Sequence, residues 1–174
     1  MSNRGFIAIL GAIAFVALLG FGLLAKGAED VAVGEPAPDA PMPRLDGSGE
    51  TRIADYRGSW VLVNFWASWC RPCEEESPAI EAFANRNRDR LVVLGINSED
   101  NSVDANDFID RYGLSWRMVE DDGERMETYG VLGLPESFLV DPNGDLALIQ
   151  RGPVDERFLA ERVEPLVRGA TVEP

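Results

Sequence analysis

The sequence predicts an α/β layered sandwich, in which central strands are covered by helices. Three observations carry that prediction. Two dense apolar runs, Trp60–Trp66 (WVLVNFW) and Leu91–Ile96 (LVVLGI), have the length and composition of strands buried on both faces. A segment with helical spacing lies between them. A strand–turn–strand signal and a final helical pattern follow, and strand–helix alternation of this kind builds layered α/β domains.

The elements follow in chain order. Residues Phe6–Ala25 (FIAILGAIAFVALLGFGLLA) carry no charge, and a helix of that length spans about 30 Å of hydrocarbon. Arg4 precedes the run, while Glu29 and Asp30 follow it. The positive-inside bias keeps the N-terminus cytoplasmic and exports the rest. Residues 1–26 are therefore expected to be an uncleaved single-pass anchor, with a cleaved signal peptide as the alternative. Residues 27–50 hold Pro36, Pro38, Pro41 and Pro43 among Gly, Ala and Asp, and read as an extended lead-in outside the core. After the strand Trp60–Trp66, Cys73–Arg86 places Ile80 and Phe83 on one helical face. Val103–Tyr112 is an acidic amphipathic helix closed by Gly113, and Glu124–Tyr129 is a short helix closed by Gly130. Ser137–Val140 is a strand. Asp141-Pro142-Asn143-Gly144 turns it back into Leu146–Gln150. Asp155–Val167 is the last helix, with Asp155 as its N-cap.

Charge and cysteine content narrow the function. Thirty acidic residues against sixteen basic ones give a net charge of −14, which argues against nucleic acid as a partner. The 174 residues contain two cysteines and no histidine. A structural zinc site needs four ligands, usually Cys or His, so no metal is expected. Ser-His-Asp and Cys-His catalysis are excluded for lack of the base. A purely structural disulfide between Cys70 and Cys73 would close a minimal loop and stabilise little. Redox chemistry of the pair is the remaining account, with no cofactor beyond it.

The stretch NFWASWCRPCEEESP shows how that chemistry is set up. Cys70 falls where the strand ends and the next helix begins. Pro72 suits a first helical turn, because its missing N–H has no intrahelical partner there. The helix N-terminus then lies at the Cys70 sulfur and favours a thiolate, with Arg71 adding a cation. The thiolate is the species that attacks a disulfide. Cys70 is expected to be the exposed nucleophile, and Cys73, one turn further in, the residue that resolves the mixed disulfide.

WCRPC after VLVNFWAS resembles the thioredoxin superfamily. The resemblance is nearer to its membrane-anchored extracytoplasmic branch, the TlpA/ResA-like and DsbE/CcmG-type proteins. GEPAPDAPMPRLDG, RIADYRGSWVLVNFWASWCRPCEEESP and GVLGLPESFLVDPNG match that branch in order and spacing, over about residues 34–168. The resemblance implies a thioredoxin fold for residues 51–170, a mixed sheet flanked by helices. It also implies a protein-disulfide oxidoreductase on the periplasmic side of the cell membrane. Its substrates would be disulfides of exported proteins, apocytochrome c during cytochrome c maturation above all. A membrane thiol-disulfide reductase would return it to the dithiol.

Residue by residue, the resemblance places Pro135 at the family's cis-proline, where the Leu134 backbone would pair with a substrate strand. Glu136 follows, and Pro-Glu is more like the DsbE/CcmG type. Asn64 stands where thioredoxin keeps a buried acid, so that proton acceptor is missing. Glu76 matches the acid of the ResA-like Cys-x-x-Glu-x-Pro pattern and would take the Cys73 proton. Cys70, Cys73, Glu76 and Pro135 are thus the candidate catalytic residues. Trp69, Arg71, Pro72, Leu134 and Glu136 are the candidate substrate-binding residues, Trp69 as part of an apolar platform. Two other readings stand beside this one. One is a general extracytoplasmic reductant of envelope proteins. The other is a thioredoxin-like metal- or haem-delivery protein, for which a histidine near the cysteines is missing.

Overall fold

The computed structural model describes residues 31–169; the expected anchor at 1–26 lies outside them, as do residues 27–30. Among the described residues, no helix is long and apolar enough to cross a membrane. Two short strands, β1 (Met42–Pro43) and β2 (Glu50–Thr51), pair antiparallel, and a 3₁₀ turn at Ile53–Tyr56 follows. Then come β3 (Trp60–Trp66), α1 (Arg71–Asn87), β4 (Leu91–Asn97), α2 (Ser102–Tyr112), β5 (Arg117–Glu120) and α3 (Glu124–Thr128). The chain closes with β6 (Glu136–Val140), β7 (Leu146–Arg151), α4 (Glu156–Phe158), a π-helical turn (Leu159–Val163) and α5 (Glu164–Gly169).

Five strands form one mixed sheet in the order β5-β4-β3-β6-β7. β3, β4 and β5 are parallel to one another, while β6 is antiparallel to β3 and β7 to β6. β3 is fully buried because both faces of the sheet are covered, which explains a continuous apolar run instead of alternation. Val61, Val63 and Phe65 face one layer with Leu94, Ile96, Phe138 and Val140. Leu62 and Trp60 face the other, against Ile80 and Phe83 of α1 and Leu159, Val163 and Val167 of the C-terminal helical segments. Gly95 on β4 is forced by packing: a Cβ there would come within 2.6 Å of Met118 Sδ and 2.9 Å of Trp66 Nε1.

The lead-in differs from expectation. It belongs to the core. Gly34 N and Ala37 N donate to the carbonyls of Leu146 and Gly144, and Leu146 N donates back to Glu35. Further along, Leu45 N donates to Met118, and Arg44 bridges Val119. The segment thus runs across the sheet from its β7 edge to its β5 edge. On the way it buries Ala37 and Met42 against Val61, Phe65 and Val119. Tyr129, buried among Phe65 and Phe138, holds it by donating its hydroxyl to Pro38 O at 3.1 Å. The prolines suit this role: the segment pairs irregularly, so few of its N–H groups are needed.

Smaller differences concern boundaries. Strand β5 carries only one buried apolar residue, Val119, which is too little for an apolar run to reveal. The final helix begins at the expected cap, where Asp155 Oδ1 accepts from Phe158 N at 2.7 Å, but it passes through a π turn. The 141–144 turn is closed by Asp141, whose Oδ1 accepts from Asn143 N and Asp145 N; Gly144 takes φ +92° there.

The sheet's direction decides where function can sit. β3, β4 and β5 end, β6 begins and β7 ends at one end of the sheet. The segments after each of the first three strands, before β6 and after β7 gather there.

Candidate active site

Cys70 and Cys73 lie at that end and form a disulfide, with Cα atoms 5.3 Å apart. Cys70 is the N-cap of α1 and Pro72 lies in its first turn. The Cys73 N–H points at Cys70 Sγ, 3.3 Å away. The cysteine sulfur here occupies the place that an Asp or Ser oxygen takes in an ordinary N-cap. A thiolate there would accept the same N–H and sit in the field of the helix N-terminus.

Cys70 is less exposed than expected. It is 4% exposed and Cys73 0%, so both are covered in the disulfide form. Trp66, Ala67, Phe108 and the half-buried Leu134 make up that cover. What stands out to solvent is the rim. Trp69 is 60% exposed and Leu132, between α3 and β6, is 84% exposed. Trp69 does not swing freely, since its Nε1 donates to Glu99 O at 2.9 Å. Arg71 is also exposed, and its guanidinium pairs with Glu75 at 3.2 Å on the open face of α1.

Glu76 sits one turn after Cys73, 3% exposed, between α1 and the sheet. Asn64 Nδ2 donates to its Oε1 at 2.8 Å, and Val154 N donates to its Oε2 at 2.8 Å. Asn64 also donates to Ser137 Oγ at 3.1 Å. Burial pushes the Glu76 carboxyl up to about 7, against the pull of those two donors. A carboxyl that titrates near neutrality below a dithiol is suited to proton transfer.

The Leu134–Pro135 bond is cis, and Pro135 is buried at the entry to β6. Glu136 follows it, paired in register with Phe65 of β3. Glu136, expected among the substrate-binding residues, is 2% exposed and faces into the fold. Its Oε1 accepts from Leu132 N at 2.9 Å and its Oε2 pairs with Arg151, which also donates to Gly130 O at 2.7 Å. The carboxylate therefore grips the 130–134 segment from beneath.

Two residues that sequence reasoning passed over belong to the same end. Asp100 accepts from Ser68 N, Ser68 Oγ, Asn97 Nδ2 and Asn101 N, all within 2.9 Å. Asp121 accepts from Gly123 N, Arg125 N and Met126 N. Burial raises the Asp100 carboxyl, but the donors from Asn97, Ser68 and Asn101 outweigh it and hold the group below the usual carboxylate range. Nothing in SEDN marks Asp100 out from its acidic neighbours, because its role depends on which strand ends beside β4.

The comparisons agree with this geometry. The AhpC/TSA family matches residues 33–149, so the match begins within the lead-in. The thiol-disulfide oxidoreductase ResA of Geobacillus thermodenitrificans is 35% identical over 138 residues, 78% of this chain and 79% of that protein. The thiol:disulfide interchange protein HelX of Rhodobacter capsulatus is 34% identical over 78% of this chain and 77% of its own length. Among solved structures, a Chlorobium tepidum protein assigned as thiol:disulfide interchange protein DsbE superposes with a TM-score of 0.74 at 29% identity, covering 79% of this chain and 99% of that one. With a CxxC disulfide at a helix N-terminus on a mixed sheet of this order, the chain belongs to the AhpC/TSA family and is a thioredoxin-like thiol-disulfide oxidoreductase.

Proposed function

We propose that this protein reduces disulfides of exported proteins outside the cytoplasm, with apocytochrome c cysteines as the leading substrate. One observation carries the reading: the Cys70–Cys73 pair caps a helix beside a buried Glu76 that titrates near neutrality, under a rim of exposed Trp69 and Leu132. The apolar run at 6–25 supports a membrane anchor that puts the domain on the periplasmic side.

The steps balance as a two-electron exchange. The Cys70 thiolate attacks one sulfur of the substrate disulfide, and the other substrate sulfur leaves as a thiolate. Cys73 then gives its proton to Glu76 and attacks Cys70 Sγ. The second substrate thiolate leaves, and Cys70–Cys73 is the disulfide. A membrane dithiol reductase would return the pair to the thiol form, and no further cofactor enters. Trp69, Leu134 and the backbone before Pro135 form the docking platform, with Pro72 and Arg71 on its helix side. Glu136 supports that platform from below.

The test is reduction of a disulfide-bonded apocytochrome c peptide by the dithiol form, followed by trapping. Cys73→Ser should accumulate a mixed disulfide through Cys70, and Cys70→Ser should give none. If the peptide is untouched while an unrelated exported disulfide protein is reduced, the substrate is wider than cytochrome c. If neither is reduced and the pair equilibrates as a strong oxidant near about −120 mV, the reductant reading falls.

A further inference from the structure

Asp100 takes no part in the exchange steps, yet it is tied to the Cys70 loop more closely than any other carboxylate among the described residues. Two of its four donors, Ser68 N at 2.6 Å and Ser68 Oγ at 2.9 Å, belong to the residue two places before Cys70. The neighbouring contacts repeat the pattern. Trp69 Nε1 donates to Glu99 O, and Ser98 N donates to Trp66 O at 3.0 Å. Glu99 takes φ +53°, the left-handed region, which brings its carbonyl and the next residue's carboxylate to the same loop. Residues 66, 68 and 69 thus all hang on the β4–α2 connection.

A neutral side chain could accept from the Ser68 N–H and hydroxyl, though not from all four donors at once. The position holds a charge instead. Its donors keep it ionised in a half-buried place, where solvent screens it less than a surface ion. The carboxylate is anchored on Ser68, whose Cα lies at most about 7 Å of chain from the Cα of Cys70. The other charged groups around the loop are Arg71, Glu74, Glu75 and the buried Glu76 of α1, Glu99, Asp104 in the first turn of α2, and Asp121 behind Ser98; Glu76 is common to the wild type and every variant of the experiment. Arg71 pairs with Glu75 on the exposed face of α1, and Glu74 accepts from the Tyr112 hydroxyl. Asp104 is engaged by Asn101. Asp100 alone of these accepts directly from the Ser68 backbone.

We propose that Asp100 positions the Cys70 loop and, through its fixed negative charge, disfavours the Cys70 thiolate, so that the pair remains a reductant against the opposing pull of the helix N-terminus. A strongly oxidising dithiol is one whose reduced form is stabilised, and a like charge beside the thiolate does the reverse. The proposal rests on the disulfide-exchange reading of the pair. The relevant equilibrium is oxidised protein plus two glutathione thiols giving the protein dithiol plus glutathione disulfide, with two electrons and two protons moving to the protein.

The experiment uses the full-length chain. It reads the Cys70 thiolate by ultraviolet absorbance against pH and the exchange constant with glutathione. In Asp100→Asn, removal of a unit charge from the loop that holds Ser68 should lower the Cys70 titration by about one pH unit. Above that titration, the exchange constant should move toward the dithiol by about tenfold, which is about 30 mV for a two-electron couple. Asp100→Ser, also neutral, should do the same and serves if the Asn variant does not fold. Asp100→Glu should return both values toward wild type. Ser68→Ala removes a hydrogen bond and keeps the charge, so it should leave the titration in place while lowering thermal stability. Folded neutral variants with wild-type titration and exchange constant would overturn the proposal. So would a Ser68→Ala protein that shifts as far as Asp100→Asn. Failure of the wild-type pair to exchange with glutathione at all would instead strike at the exchange reading itself.

Discussion

At the scale of single residues, Glu76 shows how burial makes a reagent. Its carboxyl has two donors, Asn64 and Val154, and they do not offset the loss of water. Its value therefore rises from 4.5 to about 7. The sign of the stability effect follows. A group whose folded value is raised contributes fully below its unfolded value and loses that contribution as pH climbs through the folded one. At about 1.4 kcal/mol per pH unit, ionising Glu76 costs the fold about 3 kcal/mol between pH 4.5 and 7. Glu76→Gln should remove that slope, and denaturant unfolding of the oxidised wild type and variant across this window measures it as a difference. The same substitution should slow resolution of the mixed disulfide by about 10²-fold and flatten its pH dependence near 7, because Cys73 would lose its proton acceptor. An unchanged pH–rate profile in stopped-flow exchange would remove Glu76 from the proton path. The resemblance to the ResA-like Cys-x-x-Glu-x-Pro pattern pointed to this acid. It could not show Ser137 or the Val154 amide, which reach Asn64 and Glu76 from 73 and 78 residues away.

At the scale of elements, the exchange end of the sheet faces a common difficulty. Segments that leave a strand lose their ladder partners, and backbone N–H groups there need acceptors. Carboxylates supply them: Asp100 for Ser68 and Asn101, Asp121 for residues 123, 125 and 126, Glu136 for Leu132, and Glu76 for Val154. Part of the chain's acidity is therefore structural acceptor chemistry, not only a solvated surface. The start of α1 was legible, since a strand, a CxxC and a first-turn proline are local signals. The direction of Glu136 was not, because residue type alone does not reveal which face of β6 meets Arg151. Glu136→Gln should loosen the 130–134 segment while leaving Cys70 untouched. Losing the charged pairing at about 1 kcal/mol should raise KM for a protein disulfide about fivefold. Exchange with small thiols such as dithiothreitol should stay at the wild-type rate. An equal loss toward both substrates would mean that the segment supports the cysteines themselves and not the docking of a chain.

At the scale of the whole molecule, the lead-in sets the limit of what composition can reveal. Four prolines among glycine and alanine read as a spacer, and the expected domain began at residue 51. The folded chain instead lays residues 34–45 across one face of the sheet, joining its two edges by backbone hydrogen bonds. The layered α/β order was readable because β3, β4 and the helices between them are long and strongly patterned. The strap was not, because it buries only isolated side chains, Ala37 and Met42, with no period to detect. Burial nevertheless gives it weight. Met42 is 1% exposed among Val61, Phe65 and Val119, whereas Val33 on the same segment is 61% exposed. Met42→Ala should therefore cost about 2–5 kcal/mol, the range for opening a cavity in a packed core. Val33→Ala should stay within about 0.5 kcal/mol. Chemical denaturation of the two variants separates a strap that belongs to the cooperative unit from a spacer that merely lies on it. Equal, small effects would return residues 31–50 to the role of linker. A large loss at Met42 alone means that the layer over the β3 face is completed by chain entering from the N-terminal side, and that the redox domain cannot be cut at residue 51 and remain whole.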